Sequence, residues 1–136
     1  MDAEELDRLV RSSAESYNSR DPEVMIDRWH PDCEWHPFIS AEVEGRDAYR
    51  GRDGVRQWFR DVDELFSEVG WTVEGFHDLG DDRVVVLGQL EARGRASGVE
   101  VQSPIGQLFE LRDGLLLRGW AYPSHEQALQ AAGLGG

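Results

Sequence analysis

Trp71–Leu79 (WTVEGFHDL), Arg83–Ala96 (RVVVLGQLEARGRA), Val99–Leu111 (VEVQSPIGQLFEL) and Leu115–Tyr122 (LLLRGWAY) are four apolar runs separated by the turn sequences GDD, SG and RDG. Runs of β-branched and aromatic residues bounded by Gly and Asp read as strands. Asp113-Gly114 between two such runs is the strongest short-range signal for a tight hairpin. The four runs therefore predict an antiparallel meander of adjacent hairpins. Pro104 has no N–H to give a neighbouring strand and marks an edge or a bulge. Val84, Val85, Val86 and Leu87 are apolar without alternation, so this strand is expected to be covered on both faces. Helices on one face and a second copy of the chain on the other would supply that cover.

Upstream of the meander the period changes. Residues 2–18 read as an amphipathic helix that Asp2 caps with Glu5 three residues on, its apolar face carrying Leu6, Val10, Ser13 and Tyr17. Asp21 and Pro22 suit the start of a short second helix that ends before Pro31. Asp32–Phe38 (DCEWHPF) reads as a strand and the following residues, to about 54, as a loop. Asp53–Glu68 carries Val55, Trp58, Phe59, Val62, Leu65 and Phe66 at helical spacing. Ser124 with Gln127 opens a last helix that Gly133 closes. No repeat or linker interrupts the 136 residues, which predicts one domain over 1–136.

Composition removes several classes of function. The net charge is −13 and all 14 basic residues are Arg. An acidic chain without a basic stripe is unsuited to nucleic acid or to an anionic membrane surface. Without Lys there is no Schiff-base amine and no phosphate-binding GK[ST] loop. The lone Cys33 excludes an intrachain disulfide and a Cys-based zinc site. The four His have no zinc-like spacing, so no metal is expected. The start lacks the apolar core of a signal peptide, no run reaches transmembrane length, and the expected location is cytoplasmic.

Five stretches point to one superfamily. Asn18-Ser-Arg-Asp21, Tyr49-Arg-Gly-Arg-Asp-Gly54 and the set Ser97–Val101, Arg112-Asp113-Gly114 and Glu126–Gly133 resemble the bacterial SnoaL-like proteins. These belong to the nuclear transport factor two-like fold, together with ketosteroid isomerases and polyketide cyclases. The resemblance implies a cone-shaped α+β barrel. A strongly curved, mostly antiparallel sheet wraps a pocket closed by three helices from the N-terminal half, with a short C-terminal helix. It implies a hydrophobic small molecule as partner and acid–base chemistry on a carbonyl-type substrate without a cofactor; the strand that is apolar on both faces adds the expectation of a homodimer through the sheet face.

Set against the isomerase pattern, Pro37 matches the Pro that follows the catalytic Asp, which puts His36 at the general-base position. Imidazole titrates near neutrality and suits that task. Glu34, two residues away on the same strand face, is placed to orient it. The alternative for His36 is a strand-end residue that only hydrogen-bonds a neighbour. The first-helix Tyr of the isomerases falls near Ser13, and the second acid near Gly106 or Gln107, so the isomerase and cyclase machinery is not carried over whole. Candidate substrate-binding residues are Tyr17, Trp35, Phe38, Tyr49, Trp58, Gln107, Trp120 and Tyr122, with Trp71 as a further member of an aromatic wall. Tyr and Trp combine an apolar body with a polar tip. Their alternative reading is plain core packing. A ligand-binding or accessory protein without catalysis fits the same residues.

Overall fold

The computed structural model describes residues 2–37 and 48–134. Helix α1 spans Ala3–Ser19, and two 3₁₀ turns follow at Pro22–Val24 and Ile26–Arg28. Then come β1 (Trp29–His36), β2 (Tyr49–Arg50), α2 (Gly51–Leu65), β3 (Phe66–Gly80), β4 (Arg83–Gly94), β5 (Glu100–Arg112), β6 (Leu115–Tyr122) and α3 (His125–Ala131). One six-stranded sheet runs β2-β1-β6-β5-β4-β3, with β1 and β6 parallel and every other pair antiparallel.

The expected meander is β3–β6. Its Asp113-Gly114 turn has φ of 54° and 76°, the doubly left-handed conformation that matches strand twist. Asp81 and Asp82 turn the β3–β4 hairpin in the same way, at φ 52° and 58°. Pro104 lies opposite Gln89 of β4, in the part of β5 that β6 has not yet reached; β6 begins pairing at Gly106. The long edge strand β3 breaks its register with β4 three times. Such bulges blunt an edge against pairing with another chain.

The caps are those read from the sequence. The Asp2 carboxylate accepts from Glu5 N (2.8 Å), Asp21 from Glu23 N (3.0 Å) and the Ser124 hydroxyl from Gln127 N (3.1 Å). Four boundaries differ from the reading. The second helix is only two 3₁₀ turns, Pro22–Val24 and Ile26–Arg28, before β1 starts at Trp29. β1 therefore takes in Pro31. A two-residue strand, β2, sits where only loop was expected. α2 starts at Gly51 rather than Asp53, with a φ of +71° that a side chain would resist, and it gives way to β3 at Phe66 rather than running on to Glu68.

The main core lies between the inner sheet face, α1 and α2. It holds Leu6, Leu9, Val10, Trp29, Trp35, Trp58, Trp71, Val84, Val86 and Phe109. On the outer face, Val85 and Leu108 pack with Ala128 and Ala132 of the C-terminal region. The unbroken valine run is thus buried on both faces within one chain: Val84 and Val86 look inward, and Val85 looks towards α3. His125 Nε2 lies 2.8 Å from Gly88 O and ties the start of α3 to β4. No helix among the described residues is long and apolar enough to cross a membrane.

Candidate functional site

Inward-facing residues of the sheet, together with α1 and α2, enclose a cavity of about 70 Å³. Strand alternation decides its walls: Trp35 from β1, Val69 and Trp71 from β3, Leu90 and Ala92 from β4, Ile105 and Gln107 from β5, and Ala121 from β6. Pro37, Phe66, and Tyr17, Trp58 and Val62 from the two helices close it.

Two glycines seat the tryptophans. A methyl on Gly88 would lie 2.8 Å from the Trp71 ring and 2.3 Å from Thr72 O. One on Gly119 would lie 2.6 Å from the Phe109 ring and 2.9 Å from Trp35. Only bare backbone lets Trp71 lie across β4, or lets Trp35 and Phe109 stack at 5.8 Å over β6. The Asn18 motif holds the third side. Asn18 donates to Trp71 O (2.9 Å) and accepts from Trp71 N (2.8 Å), as a neighbouring strand would. Arg20, at the left-handed end of α1, donates to Phe66 O and Ser67 O (2.6 and 2.7 Å) and pairs with Asp63 (2.7 Å). Together these contacts lock the end of α1, with Tyr17, against β3.

The cavity surface is almost wholly apolar. Behind it, the Trp35 and Trp71 indole N–H groups find no acceptor among the described residues, and Gln107 Oε1 finds no donor. All three side chains are more than nine-tenths buried. An unmet buried polar group costs about 1–3 kcal/mol. The Trp58 and Gln107 side chains both hydrogen-bond the Tyr17 hydroxyl. Burial pushes that phenol up to about 12 against these two hydrogen bonds, so it keeps its proton at neutral pH. No other described residue of the wall is ionisable.

The sequence-derived candidates divide by strand face. Tyr17, Trp35, Trp58 and Gln107 meet at the cavity, joined by Trp71. His36 and Glu34 alternate with Trp35 and lie on the outer face, with His36 Nε2 3.6 Å from Glu34 Oε2 and the His36 ring stacked on Trp120 at 5.6 Å. Glu34 also bonds Arg50 and lies 3.9 Å from Arg118; the Arg50 hydrogen bond, first of all, holds its carboxyl below the usual range. Trp120 and Tyr122 share that outer face, whereas Ala121 between them lines the cavity. Burial raises the Tyr122 phenol. Tyr49 is buried beside the cavity, and its hydroxyl donates to Asp61 Oδ2 at 2.5 Å, next to Gln57 Nε2 at 2.7 Å from Asp61 Oδ1. Phe38 lies outside the described residues.

Ser13, matched to the isomerase Tyr, does not line the cavity; Tyr17, one turn further on, does. Gly106 faces α3, and Gln107 faces inward. Burial pushes the Cys33 thiol up to about 11, which makes it a poor nucleophile. No group of three or more metal-ligating side chains occurs among the described residues. The inward apolar residues of β3, β4 and β6 were the unrecognised part of the site, and the signal for them is alternation counted from Trp35 or Gln107.

Comparison with known proteins agrees with this architecture. An NTF2-like protein of unknown function from Burkholderia pseudomallei superposes with a TM-score of 0.77 at 19% identity, over 93% of this chain and 95% of that one. A hypothetical protein with a ketosteroid isomerase-like fold from Catenulispora acidiphila, in complex with trimethylamine, gives 0.72 at 16%, over 92% of each chain. A putative SnoaL-like polyketide cyclase from Jannaschia gives 0.66 at 18%, over 93% and 92%. No curated protein matches significantly. At these identities the structures speak for the fold alone. Residues 10–119, most of the chain, match the SnoaL-like domain, and the chain belongs to that family.

Proposed function

We propose that this SnoaL-like domain binds a small, neutral, largely apolar molecule in the tryptophan-walled cavity. The observation that carries the reading is a cavity of about 70 Å³ walled almost wholly by apolar side chains, Trp35, Trp58 and Trp71 among them. An apolar occupant gains roughly 25 cal/mol for each Å² it removes from water there. A charged ligand would lose its hydration with no counter-charge on the described walls. The volume of about 70 Å³ is several-fold below the ~300–1,000 Å³ of drug-sized sites, which favours a single ring over a steroid or a fused polycycle.

Within this reading the described walls bind and orient; Tyr17 is a donor and not a base. A second reading, acid–base catalysis by His36 with Glu34, draws on their 3.6 Å pairing and on Pro37, the next residue, being part of the cavity wall. One experiment separates them. Single-ring ketones and phenols are titrated calorimetrically into wild type, Ala121→Leu and His36→Gln. The proposal expects binding lost in Ala121→Leu, which fills the cavity, and kept in His36→Gln. Binding that survives in Ala121→Leu overturns it.

A further inference from the structure

Trp58 differs from the other two tryptophans of the wall. Trp35 rests on β6 at Gly119 and Trp71 on β4 at Gly88. Trp58 comes from α2 and lines two spaces at once: the cavity, and a crevice of about 10 Å³ bounded by the end of α1, α2 and β3. We infer that Trp58 is the size-determining residue of the site. Its indole confines the ligand to one ring, and the space it withholds is that of a second, fused ring. The inference rests on the cavity being the ligand site.

Tyr17, Val62 and Val69 also line both spaces, so these side chains and Trp58 form the partition between them. Trp58 is its largest member. Tyr17 is held fast, stacked on Phe59 with ring centroids 5.4 Å apart and hydrogen-bonded through its hydroxyl to Trp58 and Gln107. Trp58 in turn meets Trp35 edge-on at 6.4 Å and Tyr49 at 5.6 Å, which holds the buried indole in place. The crevice alone has room for at most one water. Its lining is apolar apart from the Tyr17 hydroxyl and the Arg20–Asp63 ion pair at 2.7 Å. Trimming the indole to a phenyl ring joins the vacated room to both spaces, because the surroundings of a truncated core side chain relax only in part. The result is one longer apolar slot. With the indole present, a second ligand ring has to force wall side chains off their rotamers.

The test titrates acetophenone and 2-acetonaphthone, which share the methyl ketone and differ by one fused ring, into wild type, Trp58→Phe and Trp71→Phe by calorimetry. The expected result is about 10-fold or greater preference for acetophenone in wild type. That preference should collapse in Trp58→Phe through a gain in affinity for the naphthyl ketone. It should persist in Trp71→Phe, which trims the same indole where the β4 backbone at Gly88, and no crevice, lies against the ring. If melting curves show Trp58→Phe unfolded, Trp58→Met carries the same expectation. Equal affinity of the two ketones in wild type, a preference unchanged in the folded Trp58 variant, or the same collapse in Trp71→Phe overturns Trp58 as the size-determining residue and leaves the cavity as ligand site intact. No binding of either ketone to wild type overturns both.

Discussion

Replacing Gly106 by Ala tests how α3 is held on the outer face. A methyl on Gly106 falls 2.2 Å from the Ala128 methyl carbon, while its next neighbours, Ser124 O and Leu87 Cδ2, stand at an ordinary 3.4 and 3.5 Å. Apolar carbons rest ~3.5–4.0 Å apart, so α3 has to retreat by roughly 1.5 Å. Overpacking costs about 1–3 kcal/mol. The upper end applies, because Ala128 is fully buried against Val85 and Leu108 and a seven-residue helix has no stability of its own. Ala128→Gly alone forfeits about 0.8 kcal/mol for the buried methyl and about 1 kcal/mol of helix propensity. The double variant moves the methyl from helix to strand and keeps only the propensity loss. Two single losses together near 5 kcal/mol should thus become about 1 kcal/mol, a coupling of roughly 3–4 kcal/mol, at the top of the range for residues in contact. Urea unfolding of wild type, both singles and the double measures it. Additivity to within about 0.5 kcal/mol refutes the contact as the seat of α3.

Four further outcomes follow from the site. Asn18→Ala removes both hydrogen bonds to the Trp71 backbone and should cost about 1–2 kcal/mol in urea unfolding, Asn18→Asp at least as much, because its carboxylate would face the Trp71 carbonyl oxygen. Tyr49→Phe leaves the buried Asp61 carboxylate one donor short and should lower stability by about 1–3 kcal/mol, read as a melting-point drop. The Tyr17 phenol is raised to about 12 when folded. Its contribution is full below its unfolded value of about 10 and is lost as pH rises towards 12, about 2–3 kcal/mol in all. Tyr17→Phe should flatten that part of the alkaline stability profile, and an unchanged slope contradicts the burial argument. Gly88→Ala should shift or unseat Trp71, visible as a red-shifted tryptophan emission together with weakened ligand binding; unaltered emission and affinity would show that the glycine does not seat the ring.

The meander, the three caps and the apolar face of α2 were legible because each depends on neighbours close in sequence: Asp113-Gly114, Asp2 with Glu5, Val55 with Trp58 and Val62. Tyr17, Trp35, Trp58 and Gln107 were legible as residue types suited to a pocket. Their meeting at one cavity was not, since it rests on contacts across the sheet: Gly119 making room for Trp35, Gly88 for Trp71. The cover over Val85 was assigned to a second copy, whereas α3 supplies it, because the small Gly106–Ala128 contact that lets the helix sit down leaves no periodic mark. Asn18 was recognised only as part of a motif. Its two bonds to Trp71 supply the physical reason for an amide at that position, since no other side chain of that length both donates and accepts along a strand edge.

Strand parity decides what chemistry this shell presents. Between Trp29 and Glu34, β1 slips against β6: Trp29 lies opposite Leu116, but Glu34 lies opposite Arg118 and Trp35 opposite Gly119. The irregular stretch contains Pro31, which has no N–H for a ladder bond, so the slip follows from the sequence. Downstream of it Trp35 rests on Gly119 and looks inward, and His36 looks out onto Trp120. A register one residue different would put an imidazole and a carboxylate into the cavity and an indole on the surface. The matched Pro37 preserves position along the chain but does not by itself preserve face. Alignment to a catalytic Asp-Pro therefore carries no chemistry until the residue that fits over the facing glycine is known, and in this strand that residue is the tryptophan.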